Sequence, residues 1–157
     1  MDSITEVEEM TQVKCGGCQC GNIRYEATVE TNKAYLCHCR MCQRATGGFA
    51  ASFINCKITD RKWIKGAPDY YQSSLIAKRP YCGKCGTPLG FEFLEGEYCD
   101  LTIGSFDKPS DFKPASHFGA ENLQSAWLDT KELPQGRADE HEPTLERWKK
   151  AGMKAPK

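Results

Sequence analysis

A β-rich domain with cysteine clusters on its turns and little helix is the fold class that this sequence predicts. Three observations predict it. Short apolar–polar alternations recur between turn signals, while strong helical periodicity is confined to 144–150, with a brief second stretch near 39–46. Fourteen glycines and eight prolines punctuate the 157 residues. Ten cysteines, in a chain that is only 39% hydrophobic, indicate that something besides apolar burial holds the fold.

Taken in order, residues 1–13 are polar and acidic and predict a flexible N-terminal arm. "GNIRYEATVE" (21–30) alternates strictly, with Ile23, Tyr25, Ala27 and Val29 on one face, which predicts a half-buried strand. "GFAASFINCKI" (48–58) alternates less cleanly, with Phe49, Ala51 and Phe53 together. "YYQSS" (70–74) reads as a strand edge and turn. "TPLGFEFLEGEYCDLTIGSF" (87–106) reads as a hairpin: Leu89, Phe91 and Phe93, a turn at Glu95-Gly96, then Cys99, Leu101 and Ile103. "SAWLD" (125–129) predicts one more short strand, with Trp127 in the core. The core domain is expected over 14–135. A polar C-terminal extension follows over 136–157, in which "ERWKKAGMK" is a solvated helix face.

Charge and hydropathy exclude several classes. Lysine plus arginine equal aspartate plus glutamate at 21 each, so no basic footprint for phosphate backbones is present and no nucleic-acid partner is expected. No stretch approaches 18 uninterrupted apolar residues, so no membrane span is expected. "MDSITEVEEM" lacks the positive start and apolar run of a signal peptide, which predicts a cytoplasmic setting where thiols stay reduced. Nothing in the sequence specifies an oligomeric state.

Seven cysteines form three tight groups: Cys18 and Cys20 in "GGCQCG", Cys37, Cys39 and Cys42 in "CHCRMC", and Cys82 and Cys85 in "YCGKCG". Such spacings let thiolates of one turn reach one small tetrahedron, and thiolate-rich sites on loops suit zinc. Seven ligands divide as four plus three. A four-thiolate site is closed and structural, whereas a three-thiolate site leaves one position for chemistry. The 37/39/42 triplet is the natural three-ligand group, and the pairs 18/20 and 82/85 would clamp distant parts of the chain. A fourth protein ligand, His38, Cys15 or Cys56, would close the triplet instead. His38 stands between two ligands and so is expected to point away from the metal. Cys15 forms its own CxxC with Cys18 and could replace one of the assigned ligands. Cys56 and Cys99 stand in strand-like contexts as small core residues.

The order of "GGCQCGNIRYE", "CHCRMCQRATGG", "YYQSS", "RPYCGKCGTPL", "PASHFGAENLQSAW" and "LP" resembles the glutathione-dependent formaldehyde-activating enzyme family, whose domain also occurs in centromere protein V. The likeness runs from about Gly16 to Pro134. It implies stacked antiparallel sheets, the β-tent or Mss4-like fold, stapled by zinc. It also implies two zinc ions per chain: a structural one on Cys18, Cys20, Cys82 and Cys85, and a catalytic one on Cys37, Cys39 and Cys42. The activity implied is that of a carbon–sulfur lyase joining glutathione to formaldehyde, with glutathione or a related thiol adduct as the partner. A non-catalytic, zinc-stapled protein-interaction module is the alternative.

A glutathione site needs cations for two carboxylates, which singles out Arg44 and Arg79, each otherwise a solvated surface charge. "YYQSS" could contact a peptide-like ligand. His117 in "PASHFG" either approaches the open face of the triplet or is a hydrogen-bonded structural histidine.

Overall fold

The computed structural model describes residues 11–154. Most of the expected N-terminal arm lies outside them, and the first strand already begins at Gln12. The chain divides into two compact units, one ending at Gln124 and one running from Ser125.

The first unit is β-rich and consists of two stacked sheets. A three-stranded antiparallel sheet has the order β1 (Gln12–Gly17), β2 (Arg24–Val29), β5 (Arg61–Lys65). The second sheet has seven strands. Its order is β10 (Lys113–Phe118), β3 (Lys33–Cys37), β4 (Ala51–Lys57), β9 (Tyr98–Thr102), β8 (Gly90–Phe93), β7 (Ala77–Tyr81), β6 (Asp69–Gln72). Every pairing in it is antiparallel except β10 with β3, which is parallel.

Strand β2 alternates as the sequence predicts, with Ile23, Tyr25, Ala27 and Val29 buried. These side chains meet Ile54, Cys56, Cys99 and Leu101 of the larger sheet in one core. Tyr25 is fully buried. Its ring meets Trp63 and Phe106 edge-on, and its hydroxyl hydrogen-bonds the Ser105 hydroxyl at 2.7 Å. Gly16 makes this approach possible, since a Cβ there would lie 2.4 Å from the Tyr25 hydroxyl. Tyr25→Phe is expected to destabilise the protein by about 1 kcal/mol, because Ser105 Oγ, which donates to the Thr102 carbonyl at 2.8 Å, loses the buried hydroxyl it accepts from; a urea titration measures it. A buried Arg61–Glu92 ion pair also joins β5 to β8, and Tyr70 donates to the same carboxylate at 3.2 Å.

The hairpin expected over 87–106 forms, with Phe91 opposite Asp100 and Glu92 opposite Cys99. Its aromatic face differs from a core face. Gly90 and Glu92 are buried beside Cys99 and Leu101, while Phe91 is half-buried and Phe93 is 50% exposed. The reason is that β8 is covered on one side only by the smaller sheet; its other side faces a cavity. Phe49 is exposed in the turn before β4, and Ile54 and Cys56 take its expected place in the core.

The only α-helix described in this unit is α1 (Arg40–Thr46), which the Cys39 side chain caps by accepting from the Cys42 N–H and which Gly47 ends at φ 74°. In the second unit, "SAWLD" forms a 3₁₀ turn at Ser125–Trp127 rather than a strand, and Trp127 is 63% exposed rather than core. Among the described residues of this unit there is no strand for it to pair with. The helix expected near 144–150 is α2 (Glu142–Lys150), with Glu142 in its first turn and Arg147, Lys149 and Lys150 in its last, as the helix dipole favours. No described helix is long and apolar enough to cross a membrane.

Candidate metal centres and active-site cavity

Two groups of thiols converge in the first unit. The sulfurs of Cys18, Cys20, Cys82 and Cys85 all lie within 4.8 Å of one another, and so do those of Cys37, Cys39 and Cys42. The chain therefore brings together the same four-plus-three division that the spacing suggests. Cys15 joins neither group; it is exposed on β1. Cys56 and Cys99 face each other across β4 and β9 with sulfurs 3.5 Å apart, buried in the inter-sheet core.

The four-thiol group joins the β1–β2 turn to the β7–β8 turn, and hence one sheet to the other. Gly21 (φ 76°) and Gly86 (φ 80°) supply the left-handed turns. The Ile23 N–H donates to Cys18 Sγ at 3.2 Å, and Cys85 Sγ lies 3.1 Å from the Thr87 hydroxyl. Hydrogen bonding from Thr87 draws the Cys85 thiol down to about 5. Sulfur separations of 3.6 Å for Cys18–Cys20 and 3.9 Å for Cys20–Cys82 bracket the ~3.8 Å edge of a tetrahedron with metal–sulfur bonds of about 2.3 Å. The donor set and its spacing therefore fit a tetrahedral, thiophilic ion such as zinc.

The three-thiol group is built from the end of β3, the cap of α1 and its first turn. Cys37 and Cys42 are buried and Cys39 is half-buried. Gly119 (φ 65°) lets the chain after β10 pass so close that a Cβ would lie 2.8 Å from the Cys39 nitrogen. Burial pushes the Cys37 thiol up to about 12. Burial also opposes ionisation of Cys39, yet the Cys42 N–H, the adjoining thiols and the Arg79 charge hold it below the ordinary thiol range.

Arg79 is not the surface charge that its sequence context suggests. It is 8% exposed, its Nη2 donates to Cys42 Sγ at 3.3 Å, and its guanidinium lies 5.0 Å from the centre of the Phe91 ring. Arg44 is exposed in the last turn of α1. His38 is fully buried, its Nε2 is 2.8 Å from His117 Nδ1, and its Nδ1 has no partner. A buried N–H without an acceptor costs more than a bare ring nitrogen, so the proton sits on His38 Nε2 and is donated to His117. That leaves His117 with its own proton on Nε2.

All three thiols line a cavity of about 530 Å³, together with Arg79, His117, Tyr35, Phe53, Phe91, Phe93, Asn55 and Asp100. A second cavity of about 420 Å³ shares Met41 and Arg79 with the first and is lined by Arg44, Tyr71, Ser73 and Tyr81 among others. The four-thiol group lies outside the first cavity.

The sequence profile of the glutathione-dependent formaldehyde-activating enzyme matches residues 13–122, a span that contains all seven clustered cysteines. The chain belongs to this family. An uncharacterized lyase of Schizosaccharomyces pombe is 30% identical over 84 residues, which are 52% of this chain and 59% of the yeast protein. The match thus spans less than two thirds of that relative. A crystal structure of a Rhodobacter sphaeroides protein superposes with a TM-score of 0.55 at 22% identity, over 66% of this chain and 98% of the bacterial one. That likeness is one of fold.

Within this family frame, the sequence brought the seven cysteines into view but missed most of what surrounds them. The Arg79–Cys42 contact, the His38–His117 pair and the Asn55–Asp100 corner carry no local signal, because each joins residues from different strands. The aromatic face was legible as the alternation Phe91, Phe93, but not the side on which it would lie.

Proposed function

We propose that this protein holds two zinc ions, one at each thiol cluster. At the three-thiol cluster it forms or cleaves the carbon–sulfur bond of a glutathione adduct of the S-(hydroxymethyl)glutathione type, in a reducing compartment such as the cytoplasm. The carrying observation is the difference between the clusters. Four thiols complete one tetrahedron, whereas three thiols line a cavity large enough for a small molecule.

When bound, zinc supplies a positive charge that favours the thiolate form of an arriving thiol near neutral pH. Cys37, Cys39 and Cys42 would hold the ion, and the cavity they line would receive the substrate thiol. The smaller cavity, with Arg44, Tyr71 and Ser73, takes the glutathione peptide and a carboxylate. As sulfur and carbonyl carbon join, the C–S bond forms and the carbonyl oxygen gains the proton that sulfur lost. His117 lines the same cavity and is the candidate donor to that oxygen. In the reverse direction the same bonds break.

Arg79 balances charge. Three thiolates with a divalent cation carry one negative charge, and a substrate thiolate makes it two. The guanidinium beside Cys42 offsets one of them, worth about 3 kcal/mol for charge centres ~5 Å apart at an effective dielectric near 20. Arg79→Met is therefore expected to lower kcat/KM for adduct formation roughly 100-fold at unchanged metal content, with Arg79→Lys recovering part of the loss. NMR exchange of labelled formaldehyde with glutathione measures the rate.

The test of the reading as a whole is native mass spectrometry of freshly purified protein titrated with glutathione. The expected result is two zinc ions per chain and one added glutathione. Two zinc ions with no glutathione uptake would overturn the glutathione reading and favour a non-catalytic interaction module.

A further inference from the structure

We infer that the adduct handled at the three-thiol site carries a ring-sized apolar group with a hydrogen-bonding substituent at its far end, not merely the single carbon of formaldehyde. The inference rests on the glutathione reading above and specifies its electrophile.

The layout of the larger cavity carries it. On β4, Ala51 pairs with Cys37, Phe53 with Tyr35, and Asn55 with Asp100. Positions 51, 53 and 55 alternate onto one face of the sheet, so the cavity floor is ordered: thiols, then aromatic rings, then a polar corner. Four residues separate the level of Cys37 from that of Asn55, roughly 13 Å along an extended strand. Phe91 and Phe93 flank this floor on β8 of the same sheet, with ring centres 5.1 Å apart and Phe91 beside Asp100. At the far end Asn55 Nδ2 donates to Asp100 Oδ1 at 3.1 Å and the Tyr35 hydroxyl also bonds this carboxylate, whose four lone-pair sites leave room for one more donor.

A one-carbon unit at the thiols would fill a small part of 530 Å³ and could not also span to Phe93 and Asp100. The glutathione peptide does not fill it either, because the Arg44 cavity on the other side of Met41 and Arg79 offers the cation and hydroxyls a peptide needs. The remaining space is apolar walled and closed by a hydrogen-bond acceptor. That is the complement of a hydroxyaryl aldehyde. The step balances without an oxidant: the thiol sulfur bonds to the aldehyde carbon, the C=O π bond breaks, and the thiol proton ends on oxygen.

Isothermal titration of the metal-loaded protein compares four probes: glutathione, S-methylglutathione, S-(4-hydroxybenzyl)glutathione and 4-hydroxybenzyl mercaptan. The hydroxybenzyl adduct is expected to bind at least roughly tenfold more tightly than the methyl adduct, from burial of one ring. Phe93→Ala should remove most of that gain and leave S-methylglutathione affinity unchanged. Phe93 is 50% exposed, so its variant keeps the fold. Glutathione and both adducts binding with no aryl preference would overturn the electrophile class and spare the glutathione reading. The mercaptan binding while all glutathione species fail would uphold the aromatic chamber and overturn the glutathione reading. Failure of all four would overturn both.

Discussion

Replacing Cys82 by alanine is expected to bring the protein to the edge of unfolding at room temperature. Cys82 is fully buried and is one of four sulfurs that join turns from two different sheets. The link from Cys20 to Cys82 spans 62 positions, and closing a loop of that length restricts the unfolded chain by about 4 kcal/mol. Domains of this size have only about 5–15 kcal/mol of net stability, and a metal held by four thiolates contributes more than the loop term alone. The variant should lose its near-UV circular dichroism or unfold at much lower urea, and a strong zinc chelator should do the same to the wild type. Cys15→Ala is the matched control: that thiol is exposed and outside both clusters, so its change should stay within about 0.5 kcal/mol. Equal, small effects of both substitutions would show that the four-thiol group is not a staple.

Cys39→Ser is expected to abolish activity while keeping the fold. Serine caps a helix at least as well as cysteine, so the hydrogen bond from the Cys42 N–H at 3.3 Å has a replacement acceptor. What is lost is one of three soft donors, and two thiolates on one side are a poor site for a tetrahedral ion. Metal content should fall from two per chain to one, glutathione uptake should vanish, and adduct exchange should drop by at least about 10³-fold toward the uncatalysed rate. Near-UV circular dichroism should be unchanged, since the remaining zinc belongs to the other cluster. Full metal content with full exchange rate in this variant would sink the assignment of Cys37, Cys39 and Cys42.

These two outcomes separate two roles that the sequence presents as one pattern. Cys–X–Cys and Cys–X–X–Cys spacings look alike wherever they occur. In the fold, one set sits between two sheets and the other sits on the outer face of the larger sheet, beside Arg79 and the aromatic wall. Position relative to the sheets distinguishes a staple from a site that a substrate can reach.

Much of the first unit could be read from the residues alone. Strict alternation from Ile23 to Val29 determined a strand with one buried face, because a period of two matches only the pleat. Cysteine spacing marked three groups of candidate ligands, because one or two intervening residues fit one turn, and left the place of Cys15 open. Tertiary structure alone decided the rest. Arg79 became buried because β7 carries it across Phe91 to Cys42; Asn55 met Asp100 because β4 and β9 pair in that register; and Phe91 and Phe93 turned to a cavity because the smaller sheet covers only the other face. Strand pairing joins residues tens of positions apart, and local propensity carries no information about which strands will be neighbours. The residues alone named the candidate ligands; the pairing of the strands decided what faces them.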